Sequence, residues 1–232
     1  MKTYRMNAVM AGVLYFLGTV FGVLSVVIGG EVLSSITSGK PLTGVDMLSL
    51  VAANAPQLTG GAFLTLMMGV SLMAMTIFLY PIFRRDSEEL ALGMLLFRGA
   101  LEGTSYFVST LGVLTLVVLG SEYVATGASS AALQSMGNVL YQFRDFQGPV
   151  ASIVFLIGAT CLYISFYRTQ LIPRWLTVWG LIGVISSMVH TNTGYDFYLK
   201  MVLVAQEMVM GIWLIVKGFN PSAIAALFAK TE

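Results

Sequence analysis

Apolar residues occur along this chain in six long stretches that contain few charged residues. The stretches cover residues 6–30, 60–83, 89–119, 148–168, 173–192 and 197–217. A helix needs about 20 mostly apolar residues to cross the hydrocarbon core of a bilayer, and backbone groups in lipid must be paired within the protein. The pattern therefore predicts an all-α polytopic membrane helix bundle of about six transmembrane helices, forming a single domain over residues 1–232.

The two long connections, 31–59 and 121–147, show helical patterns of their own. In the first, Asp46 precedes an apolar run as an N-cap residue precedes a helix. In the second, apolar residues recur at helical spacing: Leu133, Met136, Leu140 and Phe143. We expect a short amphipathic helix in each outer loop, either lying on the membrane surface over the bundle or packing as a surface loop.

The composition agrees with a membrane location and excludes several classes of function. Apolar residues make up 57% of the chain and charged residues 10%, far from the soluble norm. The net charge of +1 offers no basic face for nucleic acid. Cys161 is the single cysteine and His190 the single histidine, so the sequence predicts neither a disulfide nor a zinc site, and we expect no cofactor.

Lysine and arginine residues in the flanks of the stretches predict the orientation, because positive residues are retained on the cytoplasmic side. The larger group falls on one side: Lys2, Arg5, Arg84, Arg85, Arg168, Arg174, Lys217 and Lys230. The smaller group falls on the other: Lys40, Arg144 and Lys200. We expect a multi-pass protein of the bacterial cytoplasmic membrane with both termini in the cytoplasm.

Three charged residues lie deep inside the apolar stretches, away from their ends. A charge at the bilayer centre costs on the order of 3 kcal/mol, so it normally faces a partner or water. Arg98 and Glu102 are four residues apart on one helix face, at depths of about 13 Å and about 19 Å, and Glu207 lies at about 15 Å. We therefore predict that Arg98 bridges Glu102 and Glu207 and joins the third and sixth helices.

Small polar residues accompany this charged group toward the predicted outer face. Ser105, Tyr106 and Ser109 continue the face of Glu102 on the same helix. Other helices add Tyr15, Ser187 and His190. We expect these side chains to line a polar cavity that opens outward and ends at Arg98, Glu102 and Glu207.

Three functions fit this prediction. The first is binding or transport of a small or lipid-like ligand, or of a proton, in the outer cavity. The second is a sensory or accessory subunit in which the three charges form a purely structural ionic latch. The third is an intramembrane enzyme that uses a glutamate as acid or base, although no common catalytic motif is present. The sequence leaves the oligomeric state open.

Several segments resemble the bacterial membrane family known as domain of unknown function 4386. The resemblance rests on Leu171-Ile172-Pro173-Arg174-Trp175-Leu176, on Glu207-Met208-Val209-Met210-Gly211-Ile212-Trp213-Leu214, and on Phe97-Arg98 followed by Glu102. It covers nearly the whole chain and implies a six-helix membrane protein with Arg98, Glu102 and Glu207 at polar positions of the family pattern. Ala53-Asn54-Ala55-Pro56 departs from the Asn-Glu expected in the first outer loop, and the resemblance implies no particular activity.

Overall fold

The protein is helical throughout the part of the chain that can be described. A computed structural model describes residues 2–38, 46–188 and 196–229, and these ranges contain no β-strand. The helices are α1 (Lys2–Ser38), α2 (Met47–Ala53), α3 (Ala55–Phe83), α4 (Glu88–Gly93), a π-helical segment (Met94–Leu101), α5 (Glu102–Ala125), α6 (Ala131–Thr169), α7 (Arg174–Met188), α8 (Asp196–Val216) and α9 (Pro221–Ala229). The all-α membrane fold predicted from the sequence is confirmed.

Among the described helices, four or five have the length and the apolar composition of membrane-crossing helices. Four are long and apolar enough to cross a bilayer: Tyr4–Ile36, Ala55–Phe83, Glu88–Ala125 and Ala131–Thr169. A fifth qualifies if Met201–Val216 and Pro221–Ala229, which meet at 81°, are taken together. Helix α7 corresponds to the predicted stretch 173–192, whose last four residues lie outside the described ranges. The count of six crossings stays a prediction.

Two of the predicted helix boundaries are wrong. The first helix continues past residue 30 to Ser38, with a kink at Gly30, where φ is 66° and ψ is −165°. The helix predicted over 148–168 begins instead at Ala131 and contains Pro149. The helical spacing from Leu133 to Phe143 is therefore real, but it belongs to the same helix as the predicted span. Proline removes one hydrogen bond without necessarily ending a helix, so Pro149, next to the predicted start at residue 148, lies inside a continuous helix.

The chain divides into two compact units, of which the second is built from Val20–Gly69 and Thr104–Ser152. Its core contains Val32, Leu33, Ile36, Val51, Leu58, Ala62, Val113 and Leu116. The short helix α2 follows Asp46 as predicted and buries Leu48 and Val51. Glycines allow α2 to approach its neighbours, because a Cβ at Gly120 of α5 would lie 2.8 Å from the carbonyl oxygen of Leu48.

The first unit comprises Met1–Thr19, Val70–Gly103 and Ile153–Glu232, and contains all three charges predicted inside the membrane. Its helices are tied at one end by Arg5 of α1, whose Nη2 donates to the carbonyl oxygens of Ile215 and Val216 at 3.0 Å. These carbonyls end α8, where a positive side chain is favourable. After Val216 the chain turns through Gly218 (φ 74°) into α9.

Candidate functional site

Arg98 lies on a π-helical segment in the middle of a long helix. The backbone from Met94 to Leu101 is π-helical and connects α4 to α5 without a break. Within this segment Met94, Arg98 and Gly99 are buried. Wide π turns inside α-helices are rare and occur frequently at functional sites. The segment thus turns a charged side chain into the interior of the first unit.

The guanidinium of Arg98 binds both glutamates that the sequence predicted as its partners. Its Nη1 lies 2.5 Å and 2.6 Å from the two carboxylate oxygens of Glu102, and its Nη2 lies 2.9 Å from Oε1 of Glu207. The side chains of Arg98 and Glu102 are each 2% exposed, and that of Glu207 is 13% exposed. The predicted contacts between the charge-bearing helices are confirmed.

A chain of hydrogen bonds extends from Glu207 through two tyrosines to a glutamine. The hydroxyl of Tyr15 donates to Oε1 of Glu207 at 2.9 Å and lies 3.3 Å from the hydroxyl of Tyr163. The hydroxyl of Tyr163 donates to Oε1 of Gln206 at 2.6 Å. The amide of Gln206 donates in turn to the carbonyl oxygen of Leu176 at 3.0 Å, which orients it. Tyr15, Tyr163 and Gln206 are each fully buried.

The π-helical segment is packed closely on two sides. A Cβ at Gly158 of α6 would lie 2.7 Å from the Cα of Arg98, and a Cβ at Gly99 would lie 2.5 Å from Oγ1 of Thr76 on α3. At Gly158 the neighbouring atoms belong to the backbone, so only glycine permits this approach of α6. The ring of Phe155 adds a cation–π contact to Arg98, with the guanidinium carbon 4.9 Å from the ring centroid. The charged group is therefore enclosed by protein.

The remaining predicted site residues are not part of this cluster. Ser105, Tyr106 and Ser109 belong to the second unit, where the carbonyl oxygen of Ser105 accepts from Nε2 of Gln147 at 3.2 Å. Ser187 donates to the carbonyl oxygen of Gly183 within α7. His190 lies outside the described residues. The outer cavity that these side chains were expected to line stays a prediction.

Two members of the cluster, Tyr163 and Gln206, were not predicted from the sequence. Gln206 precedes Glu207 in an apolar stretch, so its polarity at that depth was a usable signal. Tyr163 lies five residues before Arg168, about 7 Å along the helix from a predicted membrane boundary. Tyrosine is common near such boundaries, so its presence there carried little information. Among the described residues, no group of three or more His, Cys, Asp or Glu side chains is placed to hold a metal ion.

Comparison with known proteins identifies a family and no activity. No curated protein and no solved structure matches the chain. One family profile, described as Domain of unknown function (DUF4386), matches residues 10–218. The matched range includes Tyr15, Arg98, Glu102, Tyr163, Gln206 and Glu207.

Proposed function

The chain belongs to the family described as Domain of unknown function (DUF4386), and we propose that it is a membrane protein that takes up and releases one proton at Glu207. We define the Arg98 cluster as Arg98, Glu102, Glu207, Tyr15, Tyr163 and Gln206. We assign proton exchange to this cluster because its residues carry the only charges predicted deep in the apolar stretches.

The observation that carries the proposal is a count of hydrogens in the Arg98 cluster. Three contacts join Glu207 to Tyr15, Tyr15 to Tyr163, and Tyr163 to Gln206, whereas the two tyrosines supply two hydroxyl protons. When Tyr15 donates to Glu207 and Tyr163 donates to Gln206, no hydrogen remains for the contact between the tyrosines. That contact is also the longest of the three, at 3.3 Å.

One added proton completes the chain. A proton bound to Oε1 of Glu207 lets this oxygen donate to the hydroxyl of Tyr15, while its remaining lone pair still faces Nη2 of Arg98. The hydroxyl proton of Tyr15 then turns toward Tyr163, which continues to donate to Gln206. Each contact now holds one hydrogen, and all donors point from Glu207 toward Gln206.

The charges of the Arg98 cluster also favour one bound proton. The groups that face Glu207 are Arg98 on the π-helical segment, Glu102 on α5, Tyr15 on α1 and Tyr163 on α6. One guanidinium and two carboxyl groups have no net charge together when one of the two carboxyl groups is protonated. Glu207 is the most exposed of the three charged groups, at 13%, so we infer that the proton enters there.

Infrared difference spectroscopy between alkaline and acidic buffers tests the proposal directly. We expect the carbonyl band of one buried carboxylic acid to appear on acidification of the purified protein in lipid. Glu207→Gln should abolish the band, and Tyr163→Phe, which leaves the charges unchanged, should shift its frequency because one hydrogen bond is lost. Glu122→Gln removes an exposed carboxyl group on α5 and should leave the band unchanged.

Two results would contradict proton exchange at Glu207. One is the absence of any buried carboxylic acid band over the pH range in which the protein stays folded. The other is a band that persists unaltered in both Glu207→Gln and Tyr163→Phe.

A second candidate function is the purely structural latch of a sensory or accessory subunit. It is favoured by the burial of Arg98 and Glu102, each 2% exposed and bound to one another by two short hydrogen bonds. In that case both carboxylates stay ionised in every folded state, so acidification produces no band. If the protein transports a small or lipid-like ligand, the same proton exchange at Glu207 would accompany the movement of that ligand. For either role we propose the bacterial cytoplasmic membrane, with both termini inside.

A further inference from the structure

A second candidate site, a cavity, lies in the first unit outside the Arg98 cluster. A cavity of about 340 Å³ opens between the α6–α7 connection and the α8–α9 connection. The two connections are held together by the backbone N–H of Asn220, which donates to the carbonyl oxygen of Leu171 at 2.9 Å. We call this space the end cavity.

The end cavity is positively charged and has no acidic residue in its lining. Arg174 and Lys217 both line it, and both side chains are exposed. Within the described ranges neither forms an ion pair, and the guanidinium carbon of Arg174 lies over the ring of Tyr167, 5.6 Å from its centroid. Asp86, a carboxylate that lines the adjoining cavity, is already bound by Arg168 at 2.8 Å. The two cations therefore have no negative counterpart in this part of the protein.

Tryptophans surround the mouth of the end cavity. The chain contains three: Trp213 lines the cavity, Trp175 packs edge-on against Trp213 with ring centroids 6.3 Å apart, and Trp179 stacks on Trp175 at 6.4 Å. Trp175 is 53% exposed. Tryptophan is enriched at the level of the lipid headgroups because its ring is apolar and its N–H is polar. The cavity thus opens where headgroups lie.

The face of α7 beyond these tryptophans is apolar and exposed. Val178, Ile182 and Ile185 are 41%, 52% and 59% exposed. A lipid whose acyl chains lie along this face would place its headgroup beside Trp175 and Arg174. The exposed apolar face therefore matches the acyl chains of a phospholipid, and the cationic cavity matches its headgroup.

We propose that the end cavity binds the phosphate group of an anion, and that this anion is the headgroup of an anionic phospholipid. Arg174 and Lys217 contact the phosphate, and Trp213 packs against the glycerol backbone of the lipid. Basic pockets between transmembrane helices bind anionic headgroups through the same chemistry. This inference is independent of proton exchange at Glu207.

Tryptophan fluorescence reports on this region of the protein, because Trp213 lines the cavity and the other two tryptophans pack in sequence from Trp213 through Trp175 to Trp179. The purified protein is reconstituted in phosphatidylcholine vesicles that contain a fixed fraction of brominated phosphatidylglycerol or, in parallel, of brominated phosphatidylcholine. Bromine quenches tryptophan within contact distance. We expect clearly greater quenching by the brominated phosphatidylglycerol. Arg174→Gln or Lys217→Gln should weaken this preference about fivefold each, and the double variant should abolish it.

Arg84→Gln is the matched control, since it removes one exposed positive charge of the first unit that does not line the end cavity. It should retain the preference for phosphatidylglycerol. A separate arm adds inorganic phosphate to vesicles of phosphatidylcholine alone. A fluorescence change there that requires Arg174 and Lys217, without any preference for the brominated anionic lipid, supports a phosphate site and assigns it to a soluble anion. Equal quenching by both brominated lipids with no response to phosphate overturns the proposal. The proposal is also overturned if Arg84→Gln weakens the preference for phosphatidylglycerol as much as Arg174→Gln or Lys217→Gln does.

Discussion

Arg98 is a buried cation that binds two carboxyl groups in the first unit. Its side chain is 2% exposed and is the cation bound by both Glu102 and Glu207. Removing one partner of a buried ion pair leaves an uncompensated charge, which destabilises a protein by about 3–5 kcal/mol. The importance of Arg98 for folding is therefore separate from any role in proton exchange.

We predict that Arg98→Gln lowers the free energy of unfolding by about 3–5 kcal/mol. Adding Glu102→Gln should recover part of this loss, because it removes one of the two carboxyl groups left without a cation. Thermal or denaturant unfolding in detergent measures both. The exposed Arg84 serves as the control, and Arg84→Gln should change stability little. Equal stability of Arg98→Gln and Arg84→Gln would contradict the interpretation.

The charged members of the Arg98 cluster were predictable from the sequence, and the uncharged members were not. Arg98, Glu102 and Glu207 stand out because ionised groups in hydrocarbon must meet a partner, and their depths indicated which partner each would find. Tyr163 and Gln206 carry no charge, so no energetic demand singled them out before the helices were placed in space. The same reasoning explains why Ser105, Tyr106 and Ser109 were grouped with Glu102: helical spacing alone does not show which unit a face belongs to.

At the scale of the elements, helix α1 consists of two helical segments joined at Gly30. The backbone there has φ 66° and ψ −165°, a conformation that is accessible essentially only to glycine. The sequence-based prediction ended the first apolar stretch at residue 30, directly after Gly29. A glycine is found both at a kink inside a helix and at the end of a helix, so the sequence alone does not distinguish the two. The packing of Val32, Leu33 and Ile36 in the core of the second unit shows that the helix continues.

We predict that Gly30→Ala destabilises the protein by about 1–3 kcal/mol, because a side chain is strained in this conformation. Gly112→Ala is the control, since a Cβ at Gly112 meets no atom within 4 Å and alanine favours a helix over glycine. The control should be neutral or stabilising by up to about 1 kcal/mol. Thermal unfolding of the two variants provides the comparison. Equal stability of both would show that the backbone of α1 adapts at Gly30.

The π-helical segment and the continuous helix α6 were beyond sequence-based prediction for different reasons. A π turn depends on which carbonyl each N–H reaches, and Met94–Leu101 contains no residue type that selects it. In α6, Pro149 favours a break locally, but the helix continues from Ala131 to Thr169. Both cases show packing prevailing over local preference.

For the whole molecule, the distribution of positive residues predicts which ends of the helices face the cytoplasm. In the first unit Arg5, Arg84, Arg168, Arg174 and Lys217 lie at helix ends or in connections. In the second unit Asp46 and Glu122 lie near the ends of α2 and α5 and are exposed. The two sets should lie on opposite sides of the membrane.

Cysteine labelling in a Cys161→Ser background tests this orientation, because Cys161 is the single cysteine of the chain. Asp46→Cys and Glu122→Cys should react with a membrane-impermeant maleimide in intact bacterial cells. Arg84→Cys and Ser222→Cys should react only after the membrane is permeabilised. The reverse pattern would invert the predicted topology, and labelling of all four in intact cells would exclude a membrane barrier between them.

The hydrogen-bonded chain that starts at Glu207 ends at Gln206, the residue directly before it. The chain therefore closes into a ring through the peptide backbone of α8, with Tyr15 and Tyr163 as its two distant members. A shift of α8 by a single residue along its axis, or a rotation about it, would open the ring at both of its ends simultaneously. A motion that preserves the ring moves α8 together with the parts of α1 and α6 that belong to the first unit.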